Sequence, residues 1–138
     1  MARTDTQALI DRLASSYAAL AEAAVNLSNE DLDKEIPGYG GRPTPVRNLL
    51  YGAANHTREH VNHINKILDV TGHSGQSEAL AILEQGAQAF GALNGALLRV
   101  DDDDLARSHE DQSVKDVLEH VAGSLDSFVN FVSEGTKA

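Results

Sequence analysis

Apolar residues recur at three- and four-residue spacing in four long stretches, the pattern of amphipathic helices rather than of strands. The first runs through Leu9, Ile10, Leu13, Tyr17, Leu20, Ala24 and Leu27. It ends at Ser28-Asn29-Glu30-Asp31, where Ser28 and Asp31 suit a capping box for a short turn. Pro37-Gly38-Tyr39-Gly40-Gly41-Arg42-Pro43 breaks the helical period and reads as a loop. Thr44-Pro45 then supplies an N-cap and a first-turn proline for a second helix, through Val46, Leu49, Leu50, Ala53, Val61, Ile64, Ile67 and Leu68 to Gly72. Past a break at His73-Ser74-Gly75, the residues Leu80, Leu83, Ala87, Phe90, Leu97 and Leu98 mark a third helix. Its Gly86, Gly91 and Gly95 each cost about 1 kcal/mol relative to Ala, which points to a close approach by another helix. Asp101 to Asp104 stops it. Ser113-Val114-Lys115-Asp116 opens a fourth helix as a capping box, and Val117, Leu118, Val121, Leu125, Phe128, Val129 and Val132 carry it to Gly135. No segment reads as a strand.

The order is helix, acidic turn, loop, helix, and then the same again, which predicts an internal repeat. Leu27 to Leu32 lies over Val100 to Leu105 at a shift of 73, and Val46 to Leu50 over Val114 to Leu118 at a shift of 68. The Pro/Gly loop absorbs the difference. The expected fold is all-α: a single domain over residues 1–138, with hairpin one at 6–72 and hairpin two at 76–135. Two such hairpins are expected to pack as a four-helix bundle with pseudo-twofold symmetry.

Composition agrees with this reading. Ala and Leu supply about a quarter of the 138 residues and aromatics only 4%, which favours helices. Apolar residues at 41% suffice for one core, so one self-contained domain is expected. The net charge is −10, from 11 Lys+Arg against 21 Asp+Glu, and no basic stripe stands out. Nucleic acid is therefore not an expected partner. Apolar runs are short and the start, MARTDTQ, is polar, so neither a membrane span nor a secretory signal is expected and the cytoplasm is the expected compartment. With no Cys, a disulfide framework, a Cys-ligated zinc and a protein thiol nucleophile are all excluded.

Six His remain, and His56, His60 and His63 fall within eight positions. At about 100° per residue, His60 lies on the apolar stripe of the second helix, His56 at its border and His63 further out. Four-residue spacing stacks His56 on His60, the arrangement in which two imidazoles share one metal ion. The fourth helix carries His120, one turn before the level of that pair in the repeat alignment. Three His ligands leave coordination positions open, as catalytic sites do. His63, His73 and His109 read as bystanders, and Asp101 to Asp104 as a solvated turn without calcium-loop spacing. Tyr39, Gly40, Gly41 and Arg42 read as a connection, with a lid or an anion contact as the alternative. His56-Thr57-Arg58-Glu59-His60 also fits H-x-x-E-H, a zinc-peptidase signature with Glu59 as general base, though a bundle of this size offers little room for the further ligand and cleft.

Asn55 to Ile64, ending at Gly72, resembles the H-x-x-x-H helix of the DinB-like (damage-inducible) superfamily, which includes thiol-dependent S-transferases and mycothiol-dependent maleylpyruvate isomerases. Ser113 to Ala122 resembles that family's other metal helix, a capped start followed by a single His. The resemblance implies a four-helix bundle, a homodimer, and a divalent ion, zinc or nickel, on His56, His60 and His120. The family sets the single His in its first half and the pair in its second; here the order is reversed. The pseudo-twofold repeat accommodates the exchange.

The expected function is accordingly a metal-dependent enzyme, a transferase or hydrolase, that activates a small-molecule thiol or water toward a small-molecule substrate. With no Cys in the chain, the thiol would be a low-molecular-weight cosubstrate. Glu59 is the catalytic candidate for proton handling, with Tyr17 and Tyr51 beside it. The alternative is a non-catalytic metal-binding or stress-related interaction bundle, supported by the lack of a clear acid/base pair near the His cluster.

Overall fold

The structure is a computed structural model that describes residues 2–73 and 75–137. Its elements are, in order, α1 (Thr4–Ala24), α2 (Asn29–Asp33), β1 (Glu35–Pro37), β2 (Pro43–Pro45), α3 (Val46–Val70), α4 (Glu78–Leu97), β3 (Ser108–His109), β4 (Gln112–Ser113) and α5 (Val114–Gly135). Single 3-10 turns at Tyr39–Gly41 and Asp103–Ala106 complete the connectors. The chain is mostly helical, as its apolar period requires. It divides into two units, Met1–Gly91 and Ala92–Ala138, with the border inside α4.

In the first unit both predicted ends of the acidic turn are realised. Ser28 Oγ accepts from the Asp31 amide at 3.1 Å and Asp31 Oδ2 accepts from the Ser28 amide at 3.1 Å, a reciprocal capping box. Lys34 and this box hold the Asp31 carboxyl down at about 2, below its ordinary 3.8. The Lys34 carbonyl then accepts from the Val46 amide at 3.0 Å, closing the connector onto the start of α3. Between them β1 and β2 pair antiparallel, Glu35 with Pro45, Ile36 with Thr44 and Pro37 with Pro43. These strands correct the all-helix-and-loop expectation; ladders of three residues are too short to leave an alternating pattern in the sequence. Thr44 is not the cap of the following helix. It lies in β2, its hydroxyl donates to the Arg42 carbonyl at 2.9 Å, and Pro45 occupies the N-cap without a side-chain bond. Arg47, one residue into α3, reaches back to Asp33 of α2 at 2.7 Å. Gly38 is required where the loop crosses α3, because a Cβ there would stand 2.7 Å from Thr44 Oγ1 and 3.3 Å from a Leu49 methyl.

Where α3 ends, the predicted stop at Gly72 is a Schellman motif. The His73 amide donates to the Leu68 carbonyl at 2.7 Å and the Gly72 amide to the Asp69 carbonyl at 3.1 Å, with Gly72 at φ +74°. Of the predicted break at His73-Ser74-Gly75, Ser74 lies outside the described residues, as does Met1 of the MARTDTQ start.

The second unit repeats this frame. Asp101 Oδ1 accepts from the Asp104 amide at 3.0 Å and Asp104 Oδ2 from the Asp101 amide at 3.3 Å, the exchange that Ser28 and Asp31 make. Arg107 binds the Asp104 carboxylate as Lys34 binds Asp31. The Arg107 carbonyl accepts from the Val114 amide at 3.0 Å, matching Lys34 and Val46. β3 and β4 pair antiparallel, Ser108 with Ser113 and His109 with Gln112, around Glu110 and Asp111 at φ +50° and +64°. Ser113 and Asp116 form the predicted capping box, with both bonds at 3.0 Å.

The long helices depart from expectation in their packing. Among the described residues the main contacts between elements run through the connectors: β1 with β2, α2 and β2 with α3, β3 with β4, and β4 and the 103–106 turn with α5. No described residue is buried, and Leu13 (70% exposed), Leu83 (67%) and Phe131 (68%) keep their apolar surface in the open. Each unit by itself therefore leaves its apolar stripes exposed. Among the described residues nothing stands within 4 Å of a Cβ built on Gly86, Gly91 or Gly95.

Candidate metal centre

Of the three predicted ligands, α3 brings two together. His56 and His60 lie one turn apart on an uninterrupted helix, and their Nε2 atoms are 3.0 Å apart with the rings close to perpendicular, at 83°. Two nitrogens bound to one ion at about 2.0–2.1 Å are separated by about 2.9 Å at a right angle and about 3.3 Å at the tetrahedral angle. The observed separation falls between these values. Both side chains are exposed, so a cation reaches the pair without displacing other groups.

His63, read from sequence as a bystander, belongs to the same cluster. Its Nδ1 is 3.4 Å from His60 Nδ1, and the ring centroids are 5.6 Å apart. His60 thus meets a neighbouring imidazole through each of its nitrogens. The signal was present in the three-residue spacing, but a helical wheel reports only the direction of Cβ. Whether ring nitrogens meet depends on side-chain torsions.

His120 lies on α5, six residues into the capped helix and exposed, in the second unit. Among the described residues no group of three His, Cys, Asp or Glu side chains gathers as a metal-holding set. Glu59 shares α3 with the pair, and no hydrogen bond among the described residues ties its carboxylate to either imidazole. Around them Arg58 donates to Asn55 Oδ1 at 3.1 Å and the Thr57 hydroxyl to the Ala53 carbonyl at 2.9 Å, which turns both side chains along the helix. Tyr17 and Tyr51 are exposed, at 59% and 67%. His109 stands in β3 beside Glu110, 3.6 Å from its carboxylate.

Within the second unit the start of α5 and the end of α4 border an open apolar depression of about 440 Å³, lined by Leu93, Leu97, Val114, Val117 and Leu118 with Arg107 and His109 among its other residues. Sequence patterning assigns Leu97, Val117 and Leu118 to helix faces, and the fold of the second unit sets them around one space with Leu93 and Val114. Among the described residues no helix is long and apolar enough to cross a membrane. Comparison with protein-family models, with curated proteins and with solved structures finds no match to this chain.

Proposed function

We propose that this chain is a metal-dependent enzyme that holds a divalent transition ion, zinc or nickel, on His56 and His60, with His120 as the third ligand. The separation of 3.0 Å between the two Nε2 atoms carries the reading, because it suits two ligands of one ion and neither side chain is engaged by an acid. His120 enters on the sequence resemblance to DinB-like metal helices. A divalent ion on neutral imidazoles supplies acidification of a bound water to a pKa of about 7, or outright deprotonation of a thiol.

The residues of the chain set the terms of that chemistry. His56 and His60 present neutral nitrogen donors on a rigid helix, which fixes the spacing of the first two ligands. With no Cys in the sequence, any thiol is brought by a small molecule, and the reaction is transfer from that thiol or hydrolysis by water. Glu59, next to His60 in the chain, is the group assigned to proton handling. The four long helices close as a four-helix bundle with pseudo-twofold symmetry, and two copies form a homodimer. The repeated connector supports the first statement and the open apolar stripes support both.

Metal uptake by the untagged chain tests the reading. Elemental analysis and zinc or nickel titration are expected to give stoichiometric binding that His60→Ala removes. Absence of uptake by the wild-type chain would favour the non-catalytic interaction bundle. Light scattering that returns the monomer mass at high concentration would remove the dimer.

A further inference from the structure

We infer that His63 is a positioning residue for the His56–His60 pair: its Nδ1 accepts the Nδ1–H of His60 and so selects the tautomer in which the His60 Nε2 lone pair faces His56. The inference rests on the metal reading above and adds to it a residue outside the ligand set.

Three imidazoles joined through two contacts can order their protons in two directions. In the first, His56 Nε2–H donates to His60 Nε2 and His60 Nδ1–H donates to His63 Nδ1, over 3.0 and 3.4 Å. His56 and His63 are then Nε2–H tautomers and only His60 is Nδ1–H. In the second direction every bond reverses, which puts His56 and His63 in the Nδ1–H form. A neutral histidine side chain in water favours Nε2–H, so the first direction has two rings in the favoured form and the second has one. For His60 the first direction is also the one that a metal ligand requires. To bind a cation through Nε2 as a neutral ligand, His56 would give up its Nε2 proton to solvent and take one at Nδ1, while His60 keeps its Nε2 free to bind and its Nδ1–H donated to His63.

A ligating histidine usually donates its second ring N–H to an acceptor that fixes its tautomer and orientation. The other acceptors in that role are carboxylates, backbone carbonyls and water. Here no carboxylate is hydrogen-bonded to His60 among the described residues, and the His63 ring takes that place. The three-residue step on α3 makes this possible, since residues i and i+3 lie on adjacent turns of one face.

Long-range 15N–1H correlation spectra of the chelator-treated full chain, at a pH of about 8.5, read the tautomer of each ring without any metal. His60 is expected in the Nδ1–H form in the wild type and in the Nε2–H form in His63→Ala. His63→Asn should restore Nδ1–H, because Asn Oδ1 stands where the His63 Nδ1 stood. In zinc titrations His63→Ala should bind about 10- to 100-fold more weakly, with His63→Asn close to wild type. His63 is exposed, so its replacement leaves the helix intact, which circular dichroism verifies. An Nε2–H His60 in the wild type, or undiminished zinc binding by His63→Ala, would overturn the inference while the metal reading stood. Nδ1–H His60 with no zinc uptake by the wild type would instead overturn the metal reading and support the tautomer assignment.

Discussion

The two connectors, 28–46 and 101–114, share one hydrogen-bonded frame and differ in how they deliver the helix that follows. In both, a reciprocal side-chain and amide exchange across three residues is followed by a cation three residues on, whose carbonyl receives the first amide of the next helix. The second connector then starts α5 with a full capping box from Ser113 and Asp116. The first starts α3 behind Pro45 with no side-chain cap, and compensates by tying Arg47 to Asp33 across elements. Their loops differ as well. Gly40 and Gly41 take the left-handed backbone in the first, at φ +70° and +71°, where the second uses Glu110 and Asp111. What is repeated is therefore the frame that aims each helix, and what varies is the means of capping and turning. The helices so aimed differ further: α3 carries a converging His pair, and α5 a single His120.

The largest expected effect breaks that last contrast. His60→Ala should lower zinc affinity by about 100-fold or more, since it removes one of the two converging donors, whereas His120→Ala should leave a weakened two-ligand site on α3. Isothermal titration on the two full-length variants ranks them; equal losses would show that α3 holds no advantage over α5.

Acid attacks both connectors at once. Asp31 is held at about 2 by Lys34 and Ser28, Asp104 is held below 3.8 by Arg107 and the Asp101 amide, and Asp116 is held below 3.8 by the Ser113 amide and hydroxyl. Carboxyls depressed in the folded state contribute stability above their unfolded pKa, near 3.8, and lose it as pH falls through the folded values. Far-UV circular dichroism should therefore show helix loss between pH of about 4 and about 2, where Asp31 protonates. A flat signal across this window would mean that the frames do not hold the helix ends.

Single substitutions sharpen the comparison at smaller scale. Ser113→Ala should destabilise the α5 start by about 1 kcal/mol, whereas Thr44→Ala, which removes no cap, should cost α3 little by the same measure of urea unfolding. In the second hairpin, Glu110→Asn combined with Asp111→Gly should stabilise by up to about 1 kcal/mol, because Asn-Gly suits two left-handed positions. Arg47→Ala should have the smallest effect, a slight lowering of the urea midpoint that shrinks at high salt, as expected of an exposed ion pair.

Much of this was legible before any coordinates. Ser28/Asp31 and Ser113/Asp116 announce their capping boxes because the residue types and the three-residue spacing are themselves the mechanism, and Gly72 announces the end of α3 in the same way. The repeat was legible at its helix starts, Val46 and Val114. The short strands were not, because pairs of two or three residues are fixed by backbone bonds across a turn. Pro45 displaced Thr44 from the cap for a related reason, the demand of β2 pairing on Thr44. Leu13, Leu83 and Phe128, read as stripe positions, stand exposed within their units, since a period gives the face of a helix and never the neighbour against it. In the candidate site, His56 and His60 followed from spacing alone. His63 did not, because its contact depends on which ring nitrogen turns toward His60.

The most direct test of the central claim, that α3 presents a metal-binding His pair, is zinc titration of the untagged, chelator-treated wild-type chain beside His60→Ala. The account predicts close to one equivalent bound by the wild type and less than about a tenth of an equivalent by the variant under the same conditions. Failure of the wild type to take up zinc or nickel, or full uptake by His60→Ala, would contradict it.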